Sequence, residues 1–264
     1  MSSSVRKRLL AFTSLTAALG LSACFDVDVK INGKEGVPLS ELDPSGANPV
    51  EFVLAAPDNV VLTEGDTLNI DVEGSDEAVA AVRFVVDGDV LGVTREEDLW
   101  DENDQATIRI TMPAPKEVVI TGSGNIQSEG LAGNAKVSIL GSGNYTGGDT
   151  EVSSLDVNVA GSGSAKFGAL TTERLEVNLG GSGGVSAAGT TDNLELTIAG
   201  SGSADFSGLK ADDAEISIAG SGSASLQSDG AVEANILGSG SVKVDGNANC
   251  TENAVGSGSL RCSE

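Results

Sequence analysis

The tripeptide Gly-Ser-Gly begins at Gly122, Gly141, Gly161, Gly181, Gly200, Gly220, Gly238 and Gly256, at spacings of 19, 20, 20, 19, 20, 18 and 18 residues. A flexible Gly/Ser linker has no reason to keep a period, so these are the units of a repeat architecture. Each copy also sits in a fixed frame. Six, four and two positions before the first glycine stand sets such as Leu155/Val157/Val159, Leu175/Val177/Leu179 and Leu194/Leu196/Ile198, with polar residues between them. Such alternation predicts a strand with one buried face. Four and six positions after it stand pairs such as Ala165/Phe167, Ala204/Phe206 and Val242/Val244. The parity runs through the tripeptide, so both glycines are expected to point inward and the serine outward, with the glycines permitting a sharp bend and positive φ. Each unit reads as strand, Gly-Ser-Gly corner, short strand and polar turn. Twenty residues cannot bury an apolar face alone, but stacked units can. The expected fold class is therefore all-β: a parallel β-solenoid, or β-helix, of about eight Gly-Ser-Gly coils over residues 116–264.

Residues 47–115 lack the tripeptide. Phe52–Leu54, Asn59–Leu62, Leu68–Val72, Val82–Val86 and Ile108–Ile110 read as short strands, with turn signals at Gly65-Asp66 and Asp87-Gly88. They predict irregular first coils or a β-rich N-terminal cap, because an uncovered solenoid end is an aggregation edge.

Composition narrows the chemistry. The 39 acidic residues against 15 basic ones give a formal charge of −24, which opposes nucleic-acid binding. The chain has no His, so a Ser-His-Asp or Cys-His nucleophile, an imidazole base and His-ligated zinc are all excluded. Aromatic residues make up only 3%, so the core must be built from small aliphatics.

The first 23 residues read as an export signal: Arg6, Lys7 and Arg8 precede a mostly apolar run, Leu9–Leu21, that is too short to span a bilayer comfortably. The segment Leu21-Ser22-Ala23-Cys24 resembles the lipobox of bacterial lipoproteins, which implies acylation at Cys24 and attachment to a membrane through N-terminal acyl chains. Phe25, in place of Asp, resembles the pattern of lipoproteins released to the outer membrane. Residues 24–46 are then expected to be an acylated tether, polar and containing Pro38 and Pro44. Removing residues 1–23 takes away three basic residues and leaves 12 against 39, or −27, a polyanion repelled by anionic headgroups.

Repeated stretches such as Val118-Val119-Ile120-Thr121-Gly122-Ser123-Gly124-Asn125-Ile126, together with the Asn59–Gly92 region, resemble the head GIN domain family, described as auto-transporter adhesins. The resemblance covers roughly residues 50–264. It implies a β-solenoid of bacterial envelope proteins with no established enzymatic activity. This chain shows no autotransporter barrel and carries the lipobox instead.

Few constellations could carry chemistry. Cys250 and Cys262 lie six positions before and after Gly256, with matching inward parity, and in an exported protein they are expected to form a disulfide stapling the last coil. No Walker or dinucleotide glycine pattern is present, and the nine-residue Asp-containing unit of calcium β-rolls is missing. The cluster Glu96, Glu97, Asp98, Asp101, Glu102, Asp104 has an EF-hand-like fragment but lacks the glycine and the twelfth-place Glu, and reads as a solvated acidic loop. Five positions before successive tripeptides stand Asp156, Glu176, Glu195, Glu215 and Glu233. Stacked about 4.8 Å apart, they form either a solvated acidic face or a weak calcium ladder, completed by the neighbouring row Asn158, Asn178, Thr197, Ser217 and Asn235. No other cofactor is expected. The functional expectation is a non-catalytic envelope lipoprotein for adhesion or scaffolding, with an unknown protein or glycan surface as partner. An accessory for envelope-stress signalling that binds a protein through the cap is the alternative, and a polysaccharide-acting enzyme the outsider.

Overall fold

A computed structural model of the chain describes residues 30–96, 99 and 104–263. The expected parallel β-solenoid is present, with about seven turns. In chain order the strands are β1 (Glu51–Leu54), β2 (Asn59–Glu64), β3 (Asn69–Glu73), β4 (Val82–Asp87), β5 (Val90–Arg95), β6 (Thr107–Met112), β7 (Glu117–Gly122), β8 (Asn125–Ser128), β9 (Asn134–Gly141) and β10 (Asn144–Gly147). They continue as β11 (Thr150–Gly161), β12 (Ser164–Gly181), β13 (Gly184–Gly200), β14 (Ser203–Gly220), β15 (Ser223–Ser228), β16 (Ala231–Gly238), β17 (Ser241–Asp245), β18 (Asn249–Gly256) and β19 (Ser259–Ser263). One short helix, α1 (Asp76–Ala81), is N-capped by Ser75, whose hydroxyl accepts the Ala78 N–H.

The residues before each tripeptide stack as one long face and those after it as a second. Inward ladders run through both without a break. One passes Leu91, Phe52, Val118, Val137, Val157, Val177, Leu196, Ile216 and Ala234, and all nine are buried. The polar turn expected after the second strand is, in the middle coils, a third strand segment. After a bulge, Ala169–Thr172 pairs with Ala188–Thr191, which pairs in turn with Gly208–Ala211. Inward Leu170 and Leu209 add to the core there, and the Thr191 hydroxyl donates to the Asn193 carbonyl (3.0 Å) where the chain bends again.

The two glycines of each corner differ, and here the expected parity fails. Only the second, such as Gly183, is buried, Gly258 of the last coil excepted. The first lies at the surface with φ between +115° and +141°. Its carbonyl receives N–H groups from the corner of the next coil: Ser182 (2.9 Å) and Gly183 (3.1 Å) both donate to the Gly161 oxygen. A Cβ on the first glycine of one coil would strike the first-glycine carbonyl of the coil below. On the second it would meet backbone oxygen and the β-branched side chain beneath, as Gly163 would meet Ile139 Cγ2 at 2.7 Å. The extended alternation is broken at the first glycine because a left-handed residue turns the chain there.

In the cap, sequence order and stacking order diverge. β1 and β2 form the coil beneath β7 and β8, but β5 and β6 pair on the outer side of β1 and β2. The chain thus winds one coil, adds the next outside it, and returns across both to continue the stack. Antiparallel β3 and β4 close the free edges of β6 and β5. A buried ion pair fixes the first corner: Arg95 donates from Nε and Nη2 to both carboxylate oxygens of Asp58 (2.9 and 2.7 Å), and the Ala106 N–H reaches Asp58 Oδ1 at 2.7 Å. Removing one partner of such a pair costs about 3–5 kcal/mol. Part of the expected tether belongs to this cap. Ile31 is buried, Val37 bridges Phe84, and Lys34 pairs with Asp87.

Gly200→Ala combines positive φ with a Cβ against the Gly181 carbonyl, so it is expected to cost at least about 1–3 kcal/mol in urea unfolding. Gly180→Ala, with no positive φ and only a 3.8 Å contact, is expected to be neutral or to stabilise by about 0.5 kcal/mol. Equal effects of the two would refute the difference in backbone role.

Candidate functional site

The outward side of the long face carries three rows parallel to the stack. The first is the acidic row. Glu51, Glu117, Lys136, Asp156, Glu176, Glu195, Glu215, Glu233 and Thr251 are strict register partners, so the predicted ladder exists as a geometric feature. The second is the amide and hydroxyl row, where Asn178 Nδ2 donates to Asn158 Oδ1 (3.2 Å) and Asn253 Nδ2 to Asn235 Oδ1 (3.0 Å). The third, just before the corner, is Leu140, Ala160, Gly180, Ala199, Ala219, Leu237 and Val255. Between the second and third rows, over Thr197, Ala199, Asn235, Leu237 and Val255, runs an open groove of about 420 Å³. Leu237 and Val255 stand 61% and 69% exposed at its end.

Cations of the chain already serve the acidic row. Lys136 pairs with Glu117 (2.9 Å), and the Arg174 guanidinium reaches Glu176 (3.1 Å) and Glu195 (2.7 Å). Among the described residues no three carboxylates converge on a point that could hold a metal ion. Asp156, Glu176, Glu195, Glu215 and Glu233 thus form an acidic row partly bridged by arginine, its successive carboxylates projecting side by side from the sheet. Asp156 is a rung under electrostatic strain, as is Glu51. Burial, followed by the Glu176 charge, holds the Asp156 carboxyl above the usual range.

The remaining sequence expectations fall as follows. Cys250 and Cys262 are joined, across the corner of the last coil. Cys24 lies outside the described residues, as do Glu97, Asp98, Asp101 and Glu102 of the acidic loop. The ends of that loop have structural partners: Glu96 pairs with Arg83, and Asp104 accepts the Ser75 hydroxyl. The single tyrosine, Tyr145, is buried against Phe167 with its ring centroid 5.4 Å away. Its hydroxyl has no hydrogen-bond partner among the described residues, and burial raises its pKa far above the ordinary tyrosine value, so it is no surface acid or base. One polar ladder was missed. Asn125 Nδ2 donates to Asn59 Oδ1, Asn144 Nδ2 to Asn125 Oδ1 (both 2.9 Å) and Ser164 Oγ to Asn144 Oδ1 (2.7 Å). Its signal was available, one residue after each tripeptide.

A folded-state pKa raised above the unfolded one means that ionised Asp156 weakens the fold at neutral pH, and that the loss is relieved as pH falls through the raised value. Asp156→Asn is therefore expected to melt higher than wild type near pH 7, with the gap closing near pH 3. An unchanged melting temperature at neutral pH would refute this account of the rung.

The family described as "Putative auto-transporter adhesin, head GIN domain" matches residues 50–248. Several crystal structures share the fold. A protein from Parabacteroides distasonis titled a putative lipid binding protein superposes with a TM-score of 0.73 at 23% identity, over 83% of this chain and 94% of its own. A putative adhesin from the same organism gives 0.74 at 19% identity, over 82% and 93%. One from Parabacteroides merdae gives 0.72 at 21%, over 82% and 92%. No curated protein matches significantly. With three quarters of its length in the matched region and the repeat, corner and cap all accounted for, this chain belongs to the head GIN domain family.

Proposed function

We propose that the chain is a non-catalytic, lipid-anchored protein of the bacterial cell envelope, placed at the outer membrane, whose solenoid is a head for adhesion or scaffolding. The observation that carries this reading is the repetition of the outer face. The same side-chain classes recur at every rung of the long face, whereas catalysis requires unlike groups gathered at one point. Many equivalent weak contacts suit a partner that is itself extended, such as a protein or glycan surface. Family membership supports the adhesin-like role. No helix among the described residues is long and apolar enough to cross a membrane, which leaves the acyl chains at Cys24 as the proposed attachment.

Two measurements test the proposal. Protease added to intact cells is expected to remove the head; full protection would place it in the periplasm and overturn the adhesive reading in favour of an internal scaffold. Cys24→Ser is expected to release the protein from membranes, and a variant that still sediments with them in high salt would refute the anchor.

A further inference from the structure

The two ends of the solenoid are finished differently. At the N-terminal end, antiparallel β3 and β4 lie along the outermost coil. Among the described residues β18 at the C-terminal end pairs only with β16 and β19 only with β17, so one side of each strand has no described strand beside it. Such edges are templates for pairing with another chain.

Several properties make this end the place where a second copy could dock. Residues 246–264 contain two acidic residues, Glu252 and Glu264, and one basic residue, Arg261, in a chain of net charge −24. The acidic row also stops short of it, with Thr251 following Glu233. Charge is therefore sparse there, and long-range repulsion between copies is low. The apolar groups left uncovered include Val255 on the outer face and Ala254, whose counterparts two coils earlier, Ile218, and one coil earlier, Ile236, are buried. The cross-linked Cys250 and Cys262 hold both edge strands in place, so little ordering would be needed on contact.

One residue opposes that contact. Glu252 stands at the inward position that every preceding Gly-Ser-Gly coil fills with Val, Leu, Ile or Ala: Val118, Val137, Val157, Val177, Leu196, Ile216 and Ala234. In the last coil no described residue covers it, and it stands exposed. Its Oε1 also accepts the Leu260 N–H at 3.0 Å. The neighbouring Ser259 N–H already donates down the stack to the Gly240 carbonyl, so in a parallel strand the Leu260 N–H is the one directed toward the missing coil. A single side chain thus occupies an edge donor and places a charge where a further layer would need an apolar group.

We propose that Glu252 is a guard residue, whose inward carboxylate keeps the open C-terminal coil from pairing with the same coil of a second copy of this chain. Because the opposite end is capped, the two copies could meet only about a two-fold axis, C-terminal end to C-terminal end. In that arrangement each Glu252 would be desolvated against its own counterpart, and like charges at such a contact oppose association.

The test is light scattering after size exclusion over a dilution series of the full chain in the Cys24→Ser background, so that no acyl chain contributes. The guarded protein is expected at one chain mass. Glu252→Val and Glu252→Gln are both expected to shift to two chain masses at high concentration, with Val associating more tightly. The Gln variant is decisive, because its amide oxygen can still accept the Leu260 N–H while the charge is gone. A monomeric Glu252→Gln with the Cys250–Cys262 bond intact would overturn the proposal and leave Glu252 as a local cap. A dimer of the guarded protein would overturn it as well.

Discussion

At every Gly-Ser-Gly corner the backbone of one coil rests directly on the backbone of the next, and this contact governs the rest of the molecule. The first-glycine carbonyl takes the N–H groups of the tripeptide above it, so consecutive corners are joined without side chains between them. The glycines serve this contact for different reasons. The first adopts a positive φ that L side chains resist, and the second faces an interior already filled by the Ile, Val or Leu of the coil beneath. A substituent at either position must separate coils that are held at the spacing of hydrogen-bonded strands. With the corners locked, both faces are locked in register. Residues 18 to 20 positions apart in sequence then become neighbours along a straight row.

Locked register has an electrostatic consequence. Carboxylates at equivalent positions are brought to about one strand spacing, where each pair repels by roughly 1 kcal/mol in water and more near a protein surface. The structure moderates this through a few cations. Lys136 occupies one rung of the acidic row, and Arg174 reaches across to two more from a neighbouring position. Amide rows add side-chain hydrogen bonds along the stack on both faces. What remains is a densely charged flank beside a neutral groove, and a terminal coil almost without charge. Like charge along the flank opposes side-by-side contact between copies, whereas the ends carry less of it.

Much of this was legible in the residue pattern, because a solenoid translates sequence period directly into spatial proximity. The alternation before and after each tripeptide identified the buried faces of both strands, since side chains of a strand alternate whatever the strand pairs with. The pairing of Cys250 with Cys262 and the alignment of Asp156 through Glu233 followed from the same arithmetic. Where that arithmetic is interrupted, it misleads. Carried through the tripeptide, parity places both glycines inside, yet a left-handed residue reorients the chain and leaves the first one at the surface.

The sequence by itself determined the fold class, the core residues of the repeat and the rows on its outer faces, because each depends on contacts between residues at a constant separation. Only the tertiary structure decided the order of coils in the cap, where β5 and β6 lie outside β1 and β2, and the buried pairing of Arg95 with Asp58 across 37 positions. It also decided that Ile31 and Val37 belong to the cap and that Arg174 bridges two rungs of the acidic row. These contacts join segments at separations that recur nowhere else in the chain. No period encodes them, and they form wherever shape and charge meet once the stack is closed.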